Sequence, residues 1–242
     1  MTSESTQRSA NVIRARRAVE EGQYHVAIQF LSSDGVAPIN DEVFSEMLLK
    51  HPQASPPQIS LPVPDSAVID DSCVVKCLNS FPAGTAPGPS GLRAYHLKEA
   101  LSCPSPRVTS LYLKSLCSFV NVLCSGDVPT DVVPHLCSAS LTTLKKKSGG
   151  LRPVAVGEVL RRLVSKCISS SVSSQAVKIL SPLQLGVGIP FGCEATVHSV
   201  NTILDDNTIP SNCKWTLQVD FSNAFNSIDR GALFNGNLCS YS

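Results

Sequence analysis

Asp220 sits in Leu217-Gln218-Val219-Asp220-Phe221-Ser222-Asn223-Ala224-Phe225, an apolar rise into one carboxylate with an aromatic ring five residues later. Trp215, Leu217 and Val219 alternate with Thr216 and Gln218, so a half-buried β-strand is expected to lead into Asp220. A carboxylate fixed at a strand tip suits a hard cation such as Mg²⁺, which takes oxygen ligands held rigidly. A strand ending in a plain acidic turn shows the same pattern. A second group of residues is basic. Between Lys145 and Lys166 lie Lys145, Lys146, Lys147, Arg152, Arg161, Arg162 and Lys166 against one acid, Glu158, a balance of +6. Lysine offers a point charge to phosphate, and arginine adds a planar fork that also stacks on bases. Salt-sensitive binding of a template or a triphosphate would follow. A solvated turn is the competing reading, and Glu158 paired with Arg161 or Arg162 would make part of the cluster structural.

The elements that must position these groups are legible in outline. Residues 8–32 carry helix formers interrupted at Gly22, and Asn40-Asp41 reads as the cap of a short helix bearing Val43, Phe44, Met47 and Leu48. His51 to Pro64 holds five prolines and almost no charge, which indicates an extended linker. Residues 66–80 are expected to form an amphipathic helix, and residues 107–125 a largely buried one ending near Gly126. Between them, Phe81 to Arg93 packs three glycines and three prolines into thirteen residues, so it must be a loop. Residues 141–156 read as a hairpin turning at Ser148-Gly149-Gly150, with Pro153 confining its strand to an edge or an irregular stretch. Helices are expected over 158–180, with Arg162 and Lys166 on one face, and over 194–206.

Composition bounds the function. Apolar residues make up 43% of 242, which suits a globular core, and the formal charge is only +1. That total hides an asymmetry: residues 1–80 hold six Lys/Arg against ten Asp/Glu (−4), 81–180 twelve against four (+8), and 181–242 two against five (−3). A basic middle between acidic ends is where a polyanion would bind. The ten cysteines include no C-x-x-C and no Cys/His box at finger spacing, the closest pair being Cys73 and Cys77. The polar start lacks a signal-peptide core, and no apolar run approaches the roughly 20 residues of a membrane span. These features lead to the expectation of an intracellular protein, nuclear or cytoplasmic, with reduced and mostly buried thiols.

From about Val74 to Arg230 the chain resembles the reverse transcriptase domain of non-LTR (LINE-like) retrotransposons. The loop Gly84 to Arg93 is similar to the early fingers motif near the template, and Lys145–Lys147 with Leu151-Arg152-Pro153-Val154 to the fingers hairpin that grips template and incoming nucleotide. Lys166 resembles a basic residue that recurs shortly after it. Leu183-Gln184-Leu185-Gly186 through Cys193-Glu194-Ala195-Thr196 resembles the insertion before the first palm motif, and Asp220 to Asp229 matches that motif, D-x-x-x-A-F-x-x-I-D. Each piece alone is weak; five in order are specific.

The resemblance implies template-directed deoxynucleotidyl transfer, with an RNA template, a DNA primer and dNTPs as partners, two Mg²⁺ ions as cofactors, and no membrane. Asp220 would be a catalytic metal ligand, joined by the Phe221 carbonyl. The amides of Asn223 and Ala224 would touch the triphosphate, and Phe225 would be the steric gate against a ribose 2′-hydroxyl. Lys146 and Arg152 would steady the nucleotide, while Arg93, Lys145, Lys147, Arg161, Arg162 and Lys166 would contact nucleic acid. Asp229 matches the motif as well, although a helix cap ahead of Gly231 is its expected role.

The implied fold is α/β or α+β: helix-rich fingers plus an incomplete palm of a right-hand polymerase, truncated before the second catalytic motif. The expected divisions are a helical preface (1–50), a proline-rich linker (51–65), a partial reverse transcriptase domain (66–234) and a tail that departs from the family (235–242). The Gly/Gln palm motif and the Y-x-D-D turn are absent, and Asp229 is the last acid. One carboxylate cannot organise two cations roughly 4 Å apart, so an inactive fragment is expected, with any complementing palm fragment unidentified. The alternative is a non-enzymatic module that binds RNA, DNA or a partner through the basic hairpin.

Overall fold

A computed structural model of the chain describes residues 2–53, 57, 67–147 and 149–234. Most of the expected linker and the whole 235–242 tail lie outside the described residues. In chain order the elements are α1 (Thr2–Glu20), α2 (Tyr24–Ser32), α3 (Asp41–Lys50), α4 (Asp71–Asn79), α5 (Ala94–Leu101), α6 (Pro106–Ser125) and α7 (Val133–Cys137), then strands β1 (Ala139–Lys145) and β2 (Leu151–Gly157). After them come α8 (Val159–Leu180), α9 (Gly192–Asp205), α10 (Ala224–Ser227) and α11 (Arg230–Phe234). The architecture is mixed α and β, helix-rich, with a single two-stranded sheet among the described residues.

The chain forms two compact units. The first comprises Met1–Leu61, Ser140–Ala155 and Asn223–Ser242, and the second Pro62–Ala139 and Val156–Ser222. In the first, Gly22 at φ +72° turns the chain between α1 and α2, a conformation that favours glycine. Their contact is made by small side chains: Ala15, Ala18 and Ala27 are buried, with Val26 and Phe30 packed against them. Val12, Val19, Ile28 and Leu31 of the same two helices are exposed. Asn40 caps α3 as its sequence position implies, its Oδ1 accepting the Val43 amide at 2.9 Å.

β1 and β2 form the hairpin, closed by the Lys146 amide donating to the Gly150 carbonyl at 3.1 Å. The other edge of β1 pairs with a short stretch around Val36, which bridges Leu144. β2 is therefore the outer strand, and Pro153 lies where a missing N–H costs no ladder bond.

The second unit holds the main core. Ile69, Val74, Leu78, Phe81, Leu116, Val120, Val159, Leu163 and Cys167 are buried together where α4, α6 and the first half of α8 meet. The helix expected over 66–80 begins only at Asp71, because Asp70 takes the cap and Ile69 instead enters the core. Asn121 of α6 holds that segment, its Oδ1 accepting the Ile69 amide (2.8 Å) and its Nδ2 donating to the Ile69 carbonyl (2.9 Å).

α6 corrects the expectation of a largely buried helix. It is buried along one stripe only, Leu116, Cys117 and Val120, while Val108, Leu111, Phe119 and Val122 are exposed. By length and composition alone it passes for a membrane span, as core helices also do, and Arg107 and Lys114 interrupt its apolar run.

The Asp70 cap carries a pH prediction. Its carboxylate accepts the Cys73 amide at 2.7 Å and the Ser72 hydroxyl at 2.8 Å, and these bonds, the amide foremost, hold it below the usual aspartate range. A lowered folded-state value means the stabilisation is complete above the unfolded pKa and is lost as pH falls through the folded one. The difference in thermal midpoint between the native chain and Asp70→Asn should be constant near neutrality and shrink below about pH 4. A difference that persists unchanged into acid would show that the charge contributes nothing.

Candidate nucleic-acid interface

The hairpin presents cations without partners. Lys145, Lys147 and Arg152 are exposed, and their side chains make no hydrogen bond or ion pair among the described residues. A five-residue connection, 146–150, separates the strands, so Lys145 ends β1, Lys147 sits in the turn and Arg152 lies on the outer strand. Lys146 differs in feeling the charge of Glu46 on α3. Glu46 is held below its usual value chiefly by a hydrogen bond with Lys50, whose Nζ lies 2.7 Å from its carboxylate. Lys50 also donates to the Leu151 carbonyl, tying α3 to the outer strand.

In the second unit a different use of charge appears. Glu158 just ahead of α8 and Arg162 and Lys166 within it are spaced four apart, and they engage the Gly/Pro segment and the Ser80 that precedes it. Glu158 is buried and accepts two hydrogen bonds from Ser90, from its amide at 2.7 Å and its hydroxyl at 2.6 Å. Arg162 donates to the Ala86 carbonyl at 3.0 Å, and Lys166 to the Ser80 hydroxyl at 2.9 Å. Both cations also lie over the buried Phe81 ring, 5.5 and 5.0 Å from its centroid.

Among the described residues Glu158 pairs with neither Arg161 nor Arg162, the competing arrangement, yet part of the basic cluster is structural all the same. The buried carboxylate takes neutral donors from the loop, and Arg161 donates to the Cys137 carbonyl at 2.8 Å. Gly88 allows this docking, since a Cβ there would lie 2.7 Å from the Glu158 Cα. Arg93 ends the loop ahead of α5, half-buried, with its amide donating to His96 Nδ1 at 3.2 Å.

The Asp220 segment departs from the strand expected of it. Residues 214–221 have no ladder partner among the described residues, and Trp215, Leu217, Val219 and Phe221 are exposed. Alternation of apolar side chains specifies a strand only where a neighbouring strand supplies the hydrogen bonds and a core covers one face, and neither is found among the described residues. Asp220 is exposed and belongs to no group of three or more ligating side chains among the described residues. An exposed carboxylate outside any such group among the described residues does not fit a two-magnesium centre, whose ions each need several oxygens.

Asn223 adopts a left-handed conformation, φ +54°, and its Nδ2 donates to the Lys50 carbonyl at 2.8 Å. Ala224 and Phe225 begin α10, where the Phe225 ring is 92% exposed. Asp229 caps α11 as expected, accepting the Ala232 amide at 3.1 Å.

One cluster was only half visible in the sequence. Cys73 and Cys77 of α4 and Cys167 of α8 bring three Sγ atoms within 4.8 Å of one another. Their i,i+4 spacing places the first two on one helix face; the third, ninety residues on, joins them only through the packing of α4 on α8. Desolvation pushes the Cys73 and Cys167 thiols up from the usual cysteine range. The nine described cysteines are all free, but only Cys77, Cys117 and Cys167 are buried, fewer than expected.

The described residues thus define an α+β chain with a basic hairpin, a loop clamped by a helix and an exposed acidic segment. No protein-family model matches the sequence, and no curated protein does.

Proposed function

We propose that the chain is the fingers and first palm portion of a non-LTR reverse transcriptase, and that these 242 residues hold nucleic acid rather than extend it. The reading rests on five family-like blocks in the right order, Gly84–Arg93, Lys145–Val154, Lys166, Leu183–Thr196 and Asp220–Asp229. The observation that carries the binding role is the hairpin, where Lys145, Lys147 and Arg152 are exposed with no partner among the described residues. Unpaired cations on a protruding turn cost little to desolvate against phosphate, and they attract a polyanion by counterion release. Mg²⁺-dependent transfer belongs to the family resemblance, and a lone exposed Asp220 does not supply it.

The test is binding of an RNA template annealed to a DNA primer, read by fluorescence anisotropy on the purified chain. Lys145→Glu with Arg152→Glu should abolish binding at low salt, Asp220→Ala should leave it intact, and neither protein should extend the primer with Mg²⁺ and dNTPs. Primer extension by the native chain would overturn the inactive reading. Binding that survives the hairpin substitutions would remove the interface from the hairpin.

A further inference from the structure

We propose that Cys73, Cys77 and Cys167 form a zinc site that pins α4 to α8. Three observations converge on it. The three Sγ atoms lie within 4.8 Å of one another, and Cys73 and Cys77 are 4.0 Å apart. Around a tetrahedral Zn²⁺ with Zn–S bonds of about 2.3 Å, sulfurs stand about 3.8 Å apart, so small side-chain rotations close the site. The donor set is soft: three sulfurs, with no carboxylate in the group. Thiolates select zinc and similar thiophilic ions over the hard Mg²⁺ expected elsewhere in this chain.

The surroundings suit the charge that results. Binding converts three thiols to thiolates and releases three protons to solvent, leaving a site of net −1. A groove of about 860 Å³ reaches Cys77 and is also lined by Lys76, Lys166 and Ser170. Lys76 and Lys166 line the same groove as Cys77, so the cavity that reaches the cluster carries cationic side chains. Thiols packed as small hydrophobes would also fill a core, but packing alone does not ask for three sulfurs in mutual reach.

Zinc here would serve the fold beneath the clamp. Cys77 stands three residues before Ser80, and Cys167 follows Lys166, the pair whose hydrogen bond joins α4's end to α8. The inference is independent of nucleic-acid binding.

The experiment is anaerobic titration of the reduced, metal-free chain with Co²⁺, followed by Zn²⁺. One equivalent of Co²⁺ should produce thiolate-to-cobalt charge-transfer and tetrahedral d–d absorption, and one equivalent of Zn²⁺ should bleach both. Cys167→Ser should lose the bands, whereas Cys117→Ser, which alters another buried thiol of the same core, should keep them. On the unaltered chain, zinc should protect Cys73, Cys77 and Cys167 from alkylation, as read by peptide mapping, even if a variant fails to fold. Absence of the bands, their equal loss in both variants, or protection of other cysteines would overturn the proposal.

Discussion

Gly88→Ala is expected to destabilise the second unit by about 2–4 kcal/mol, combining overpacking with damage to a charged hydrogen-bond pair. The added methyl would stand 2.7 Å from the Glu158 Cα, 2.8 Å from its N and 2.9 Å from the Gly157 carbonyl carbon. All three are backbone atoms at the entry to α8, and no rotamer change moves them aside. The loop must therefore lift, and lifting it stretches both hydrogen bonds from Ser90 to Glu158, leaving a buried carboxylate short of donors.

Ser90→Ala removes the hydroxyl and keeps the amide, so its cost should be nearer 1–2 kcal/mol. If the loop lifts as argued, the two substitutions share one damaged contact, and the double variant should cost less than the sum of the singles. Urea midpoints at unchanged slope would measure this. A Gly88→Ala chain within about 0.5 kcal/mol of the native one would mean the loop is not held as the geometry shows.

That clamp also shows which features the sequence could reveal. Caps and turns were legible because their chemistry is local: Asn40 and Asp229 accept amides three residues on, and the glycines at 149 and 150 permit the hairpin turn at φ +80° and +79°. The helices of the core were found by period, with boundaries displaced where a cap took precedence, as at Asp70.

Partnerships over long separations were not legible. Glu158 had two arginines within four residues and instead found Ser90, sixty-eight residues away, because burial rewards a carboxylate surrounded by loop donors. The same limit explains Cys167. Asp220 marks the converse failure: a period-2 pattern was present, but a strand is a property of its neighbours, and here no partner strand is found among the described residues. Of the basic cluster, the sequence showed the charge and not its division into free cations on the hairpin and engaged ones on α8.

That division predicts distinct salt responses. Replacing Lys145, Lys147 and Arg152 with glutamine should reduce the slope of log affinity against log salt by about 2, since each phosphate contact to single-stranded nucleic acid contributes roughly 0.7. Arg162→Gln and Lys166→Gln should change that slope far less. Arg162 already donates to the Ala86 carbonyl and Lys166 to the Ser80 hydroxyl, and both lie over Phe81, so the loss should register as lower stability of the second unit. The two sets are separable in one experiment, with affinity measured from low to moderate salt beside a thermal melt of each variant. Hairpin variants should melt like the native chain and bind with a shallower slope, while helix variants should melt earlier and bind with the native slope. An equal fall in slope from both sets would show that the charges on α8 reach the nucleic acid despite their loop contacts. An unchanged slope in the hairpin variant would remove the hairpin from the interface and leave its cations as solvated surface.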